Sequence, residues 1–537
     1  MIAPSPNSSQ RNPPRIGIIG AGPGGLATAM ILAHAGAEVV IHEAQDVVGG
    51  RTRRIEQDGF SFDTGPTFFM MPWVLEEVFS RCGLRLSDHA DLHRLDPMYR
   101  LLIGRPDQEP LTIDATQDVD RMAATLEDIQ PGDGDAFRRF MHDNRRKLEL
   151  MTPILRRPIR SLMDLISWDA IKVGPSLKPW QSVHGNLSSY FKNDHVRLAL
   201  SFQSKYLGMS PFDCPGLFSI LPFIEYEYGV WHPRGGCNAL VGAMANAFTE
   251  MGGRIRLADP VDAIDFDGRR ATGVRSASGM HRYDDVVINA DATWAIKNLI
   301  PAALRKKWTD ANVDSKKYSC STFMLYLGVE GDVDLPHHTI YTSRSYQENL
   351  GDIGGGRLTE DASTYVHNPS RIDKTLAPDG SSSLYVLVPT PNDGADIDWS
   401  EMAPIYREAT LDRLENVFGI PNLRERIKTE KMVTPADWRD EKINLGATFN
   451  LAHGLDQMLH RRPQHQLEDV DGVWMVGGGT HPGSGLPVIF LSSQITADLL
   501  CREHGLNAPA AWTSGPAVIP PASLPGGPKS EPVPSEV

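Results

Sequence analysis

No run of about 18 uncharged apolar residues occurs in this 537-residue chain, so no segment reads as a membrane-spanning helix. The opening stretch MIAPSPNSSQRNPP has no apolar core of the kind a secretory signal carries. Cysteine is scarce. Cys82, Cys214, Cys237, Cys320 and Cys501 are scattered without a C-x-x-C pair, which argues against a disulfide framework or zinc ribbon and fits a reducing compartment. No two histidines are spaced as a metal pair, so no metal is expected, and no G-x-S-x-G nucleophile elbow follows a strand. Basic residues are in deficit: 53 Lys and Arg against 67 Asp and Glu leave a formal charge of -14, which argues against a general nucleic-acid binder. There is no internal repeat. These absences together predict a cytoplasmic protein that does not cross a membrane.

What is present is a globular composition, 41% hydrophobic and 22% charged. The length exceeds one ordinary core, so two or three domains are expected, one of them carried as an insertion. The ends, 1–14 and the proline-rich 507–537, have little to bury and read as flexible tails.

The segment RIGIIGAGPGGLATAMILAHAGAEVVIHEA predicts a strand over Ile16 to Ile19, a glycine turn, a helix from about Gly24 to Ala35 and a second strand over Glu38 to His42. Gly20, Gly22 and Gly25 satisfy G-x-G-x-x-G, with Ala21, Pro23 and Gly24 between them. Gly20 permits the turn, Gly22 lets the backbone approach a pyrophosphate, and Gly25 lets helix and strand pack closely. Glu43, followed by Ala44, closes the second strand 23 residues after Gly20, where a carboxylate can meet ribose hydroxyls. The residues downstream of Glu43 favour FAD as the dinucleotide. Gly49, Gly50, Arg51 and Thr52 suit a loop lying along an extended cofactor, and the Arg51 guanidinium either meets phosphate or stands in solvent. GFSFDTGPTFF then places Gly65, Pro66 and Thr67 beside the cofactor, or marks a plain turn after a strand.

Further along, YEYGVWHPRGG predicts an aromatic strand and a turn, and an amphipathic helix begins near Asn238 with Leu240, Val241, Met244 and Phe248 on one stripe. Residues 261–293 alternate like successive strands, ending in Val286 to Ile288; Val261 is placed to cover an adenine. The chain thus divides into cofactor-binding parts 15–75, 226–300 and 446–506, a helix-rich excursion 76–225 and a substrate excursion 301–445. Within the first excursion, LRRPIRSLMDLISWDAIKVGPSLKPW (155–180) sets Arg156, Arg157, Arg160, Lys172 and Lys178 against Asp164 and Asp169. Leu162, Met163, Leu165, Ile166, Trp168 and Trp180 are interleaved. This reads either as a helix lying in a membrane interface or as a helical cap with a solvated basic face.

Taken in order, IGAGPGGL with HEA and GGRT, FDTGPT, SKYLGMSP, EYGVWHPRGG, VINAD and the late VGGGTHPGSGLP resemble the bacterial-type phytoene desaturases of carotenoid biosynthesis, within the amine-oxidase-like flavoproteins. The likeness runs from 15 to 503. It implies an α/β fold: a Rossmann-like FAD-binding domain of the amine-oxidase/glutathione-reductase type, an inserted mixed-sheet substrate domain and a helical membrane-associated or lid region. It also implies a peripheral enzyme at the inner face of the cell membrane, acting on a C30 or C40 isoprenoid. Hydride would pass from an allylic carbon to flavin N5 as a neighbouring proton leaves, with oxygen or a quinone as final acceptor and a homo-oligomer left open.

The resemblance gives the late glycine loop a task. Gly477 to Gly479 let the chain pass close to the cofactor, and Leu486, Pro487 and Val488 open a helix whose N–H groups favour negative charge on reduced flavin. Gly478 stands where the broader superfamily often has an acid, so ribityl contacts fall to backbone or water. An acid–base residue, if used, comes from Glu225, Glu227, His232 and His481, each with the alternative of a structural hydrogen-bonded role; His481 could simply secure the loop. Rival readings are a carotenoid oxidase, isomerase or saturase, a flavin amine oxidase, and a prenyl-lipid escort without redox chemistry. The intact N-terminal glycine set argues against the last.

Overall fold

The computed structural model describes residues 12–165, 177 and 180–511. Ile166, Trp168, Asp169, Lys172 and Lys178 of the basic stretch lie outside the described residues, as do most of both tails.

Strand Arg15–Ile19 forms the middle of a five-stranded parallel sheet in the order Val473–Met475, Asp285–Ile288, Arg15–Ile19, Glu38–His42, Arg254–Arg256. Successive side chains of a strand point to opposite faces, and both faces of this sheet are covered. Ile16, Ile18, Val39 and Ile41 pack under the helices Pro23–His34, Cys237–Glu250 and Leu486–His504. Ile19, Val40, Val286 and Ile288 pack against the antiparallel meander Val261–Asp267, Arg270–Ser276, Gly279–Arg282 and the helix Ala292–Leu299. Connections from Arg15–Ile19 and Asp285–Ile288 leave to different sides, so the carboxyl ends of these two strands open a crevice at the strand-order switch.

The second layer is a seven-stranded mixed sheet, in the order Ile427–Val433, Ser321–Glu330, Ser381–Thr390, Thr364–His367, His338–Thr342, Tyr99–Arg105, Gln108–Ala115. Neighbours are antiparallel except His338–Thr342 beside Tyr99–Arg105. Ser321–Glu330 is buried at nine of its ten positions, as a central strand covered on both faces requires. On one face Phe323, Leu325 and Leu327 pack under the helix Trp399–Asn416; on the other Met324 and Tyr326 meet Phe60, Phe62 and Tyr385.

Two local expectations change. The run expected to be an aromatic strand from Tyr226 is the end of a helix, Ile220–Tyr228, because Ile220, Phe223 and Ile224 recur at helical spacing and bury one stripe. The strand is confined to Trp231–Pro233. The helix-rich excursion also lends its strands Tyr99–Arg105 and Gln108–Ala115 to the edge of the seven-stranded sheet. The helix Asp133–Leu155 and its neighbours then close over that edge through Phe137, Phe140 and Leu148.

Candidate functional site

Where the two sheets face each other lies a cavity of about 510 Å³, lined at one end by glycine loops and at the other by the apolar face of the seven-stranded sheet. The first loop is shaped by positive φ at Gly20 (+101°), which only glycine adopts freely, and by crowding. A Cβ on Gly25 would stand 2.3 Å from the Gly20 carbonyl oxygen, and one on Gly22 3.0 Å from Asn289. Gly22 caps the helix Pro23–His34 without any side-chain hydrogen bond, so no side chain occupies the N–H groups of its first turn.

Glu43 organises this loop. The Ala21 N–H donates to Glu43 Oε2 at 2.7 Å and the Gln45 N–H to Oε1 at 2.9 Å, and Glu43, though buried, still lines the cavity. Asn289, in the VINAD segment, donates to the Gly20 carbonyl at 3.1 Å from the neighbouring strand.

The late loop reaches the same cavity. Gly477 (φ +106°) and Gly485 (φ +113°) turn the chain, and Gly485 caps the helix Leu486–His504, again with no side-chain hydrogen bond and with Pro487 in its first turn. Arg51 joins the two loops: Nη1 donates to the Thr448 carbonyl at 2.8 Å and Nη2 to Asn450 Oδ1 at 2.9 Å. Asn450 Nδ2 in turn donates to Ser484 Oγ at 3.1 Å. A Cβ on Gly478 would come within 2.5 Å of Asn450 Nδ2 and 2.9 Å of Ser484 Oγ. No acid fits there, and the polar duty at that place passes to Asn450 and Ser484, which both line the cavity.

Of the expected cofactor contacts, Gly20, Gly22, Pro23, Gly24, Glu43, Ala44, Gly50, Arg51, Thr52, Gly65, Pro66, Thr67, Val261, Gly478, Leu486 and Pro487 line the cavity. Ala21, Gly25, Gly49, Gly479 and Val488 stand behind it: the Gly49 N–H holds the Ala21 carbonyl at 2.9 Å, and a Cβ on Gly479 would meet Ala292 at 2.3 Å. Gly65 serves a close approach, for a Cβ there would stand 2.1 Å from the Arg51 carbonyl oxygen. Asp63 serves as a cap, accepting from the Cys237 and Asn238 N–H groups at 2.7 and 2.9 Å; burial nevertheless raises its pKa to about 6.

None of the four acid–base candidates lines the cavity. Glu227 is paired with Arg145 at 2.6 Å. His232 Nε2 lies 3.2 Å from Asp373 Oδ2. His481 is buried, and burial lowers its pKa to about 4, so it is a neutral imidazole. Glu225 stands one layer back: Tyr99 Oη and Gln203 Nε2 donate to its Oε2 at 2.9 and 2.8 Å, and Tyr206, beside the same carboxyl, lines the cavity. Burial raises Glu225 to about 7.

Two cavity residues in the SKYLGMSP stretch, Lys205 and Tyr206, are not marked as a site by any motif spacing. Lys205 is half-buried, but its Nζ is buried 5.1 Å from the Tyr346 ring centroid, and that burial lowers its pKa to about 8. The available signal is a lysine inside an otherwise apolar, aromatic run.

The donor set fits a dinucleotide bearing a flavin: two helix N-termini without side-chain caps for negative charge, a carboxylate for ribose, and a glycine cradle with no room for side chains. The model of the flavin containing amine oxidoreductases matches residues 23–501. A 4,4'-diapophytoene desaturase (4,4'-diapolycopene-forming) of Methylomonas sp is 42% identical over 508 residues, 93% of this chain and 98% of the relative. An all-trans-zeta-carotene desaturase of Myxococcus xanthus is 39% identical over 94% of this chain and 96% of its own. Among solved structures, an oxidoreductase from Methanosarcina mazei superposes with a TM-score of 0.60 at 17% identity, covering 90% of this chain and all of that one, a likeness of fold.

Two substitutions test this geometry. Replacing Glu43 by Gln sets an amide N–H₂ against one of two loop N–H donors; bonds to a charged acceptor contribute about 1.5–3 kcal/mol, so the FAD dissociation constant rises roughly 10- to 100-fold by flavin-fluorescence titration. The exposed Asp46→Asn control leaves it unchanged. For Glu225, the folded pKa lies above the unfolded one, so the native state keeps a proton that the unfolded chain releases. Stability therefore falls as pH rises from about 4.5 to about 7, by an amount on the order of 3 kcal/mol. Glu225→Gln flattens that slope in denaturant midpoints measured between pH 5 and pH 8, roughly the window the shift spans.

Proposed function

This chain belongs to the flavin-containing amine oxidoreductase family, among the bacterial-type phytoene and diapophytoene desaturases, and on that premise we propose that it desaturates a carotenoid precursor with FAD. The observation that carries this reading is the single cavity that joins both glycine loops to an apolar wall of Phe68, Met70, Met324, Ile340 and Leu387. A polar amine would find little to hold it there, whereas a long hydrocarbon finds apolar surface along the sheet. When bound, FAD supplies the acceptor for a hydride from an allylic carbon, while the adjacent carbon gives up a proton and the C–C bond becomes a double bond.

The chain's own part is alignment and shielding. The glycine loops fix the cofactor, and the helix Leu486–His504 directs its first-turn N–H groups toward developing negative charge. The sheet face holds the hydrocarbon and excludes water. A conjugated allylic cation needs no strong base, which agrees with the placement of Glu225, Glu227, His232 and His481 away from the cavity surface.

The enzyme works on a membrane surface, drawing its substrate from the lipid. Met163 and Trp180, which flank the undescribed part of the basic stretch, are 72% and 74% exposed, as side chains that enter an interface would be. Among the described residues no helix is long and apolar enough to cross a membrane. Arg156 pairs with Glu77 at 2.7 Å and Arg157 Nη2 donates to the Asp164 carbonyl at 3.0 Å, so Arg160, Lys172 and Lys178 are the charges chosen for reversal. Each basic residue near an anionic surface contributes about 1 kcal/mol, so Arg160→Glu/Lys172→Glu/Lys178→Glu weakens binding to phosphatidylglycerol liposomes at least 10-fold, and unchanged binding contradicts the surface reading.

The activity is tested anaerobically, with FAD-loaded protein on liposomes holding phytoene or its C30 analogue. Flavin bleaching together with new polyene absorbance is expected for one or both chain lengths, and admitting oxygen or a quinone then identifies the acceptor by the return of flavin colour. Bleaching with neither substrate, while FAD stays bound, contradicts the reading and points to an oxidase or isomerase of an already coloured carotenoid.

A further inference from the structure

Behind the cavity wall, three histidines remote in sequence come together. His232 lies in strand Trp231–Pro233, His337 immediately precedes strand His338–Thr342, and His367 ends strand Thr364–His367. One ring nitrogen of each lies within 4.8 Å of the other two, and all three side chains are buried. His232 Nδ1 and His337 Nε2 are 3.1 Å apart. Two imidazole ligands of one tetrahedral ion bound at about 2.0–2.1 Å stand at much that separation.

The surroundings match a metal site in two further respects. His232 turns its other nitrogen, Nε2, to Asp373 Oδ2 at 3.2 Å, and Asp373 is itself held by the Gly235 N–H at 2.6 Å and the Thr375 hydroxyl at 2.6 Å. A carboxylate behind a ligating imidazole fixes ring orientation and tautomer and raises ligand basicity. His367 Nε2 is buried without a hydrogen-bond partner, a lone pair that an ion held between the three rings would meet. The adjacent His338 is committed elsewhere, its Nδ1 2.7 Å from Tyr365 Oη.

We propose that His232, His337 and His367 form a binding site for one divalent transition-metal ion of the zinc type, with Asp373 orienting His232 and the fourth position left to water. The ion would pin the Trp231–Gly236 turn, which leads into the helix that Asp63 caps, to the paired ends of two interior strands of the seven-stranded sheet. It is therefore a clamp between the cofactor-binding and substrate layers. A second grouping, His42, Asp259 and His281, is a weaker candidate because both His42 nitrogens are already spent, on Asp259 at 2.7 Å and Tyr283 at 2.8 Å.

The test uses full-length holoprotein without a polyhistidine tag, produced with added Zn²⁺ or Co²⁺ and dialysed against a chelator. Wild type is expected to retain about one metal equivalent per chain by plasma mass spectrometry, His337→Asn and His367→Gln below about 0.1, and His281→Gln the full amount. Wild type below about 0.1 equivalent, or metal retained in both His337→Asn and His367→Gln, overturns the site. Should those variants fail to fold, X-ray absorption on the wild-type cobalt or zinc protein decides: three imidazole nitrogens at about 2.0–2.1 Å are expected, and a shell with fewer than two imidazoles overturns the proposal.

Discussion

Two helices begin at the same cavity with no side chain to satisfy their first-turn N–H groups. Pro23–His34 starts at Gly22 and Leu486–His504 at Gly485, separated by more than four hundred residues, and neither start carries a side-chain cap. A buried helix start without a cap leaves oriented donors and the positive end of a dipole facing inward. That arrangement costs stability unless negative charge arrives, and a pyrophosphate at one end with a reducible ring at the other supplies it. The parallel sheet, the glycine turns and the cross-ties between the loops all serve to hold these two starts in one place.

The cross-ties explain why the two loops act as one site. Arg51 reaches Thr448 and Asn450, Asn450 reaches Ser484, and the Ser493 hydroxyl, two turns into the last helix, donates to the Gly24 carbonyl at 2.9 Å in the first. The substrate sheet is fastened to the same frame: Tyr326 Oη donates to the Thr64 carbonyl at 2.8 Å and Ser383 Oγ to that of Ser61 at 2.9 Å. A shift of either layer would therefore disturb the loop that carries Gly65, where the Arg51 carbonyl already fills the space of a side chain. Apolar chemistry on one side and a charged cofactor on the other can share a cavity because each is held by a separate layer.

What could be read from the sequence was local. The strand, glycine turn and helix over 15–42 come from short-range pattern and fall within a residue or two of the observed bounds, and Pro487 marks the start of the last helix in the same way. The run from Tyr226 reads as a strand because aromatic residues raise strand propensity, whereas Tyr226 to Tyr228 end the helix Ile220–Tyr228, which buries Ile220, Phe223 and Ile224 on one stripe. Strand Tyr99–Arg105 is hidden in a helix-rich stretch since its parallel partner, His338–Thr342, lies more than two hundred residues on, and Gln108–Ala115 joins the sheet only as its antiparallel neighbour. Spacing along the chain could not show that Arg51 would be taken by Thr448 and Asn450, nor that His232, His337 and His367 would meet. Those are facts of tertiary packing.

The most direct test of the account is a crystal structure of the FAD complex. The account predicts density running from Glu43, past the start of Pro23–His34, to the isoalloxazine against Leu486 and Pro487, with the ring's open face toward Tyr206 and Tyr365. Density in which the isoalloxazine lies away from the 477–487 loop would contradict the claim that two distant glycine loops build one flavin site.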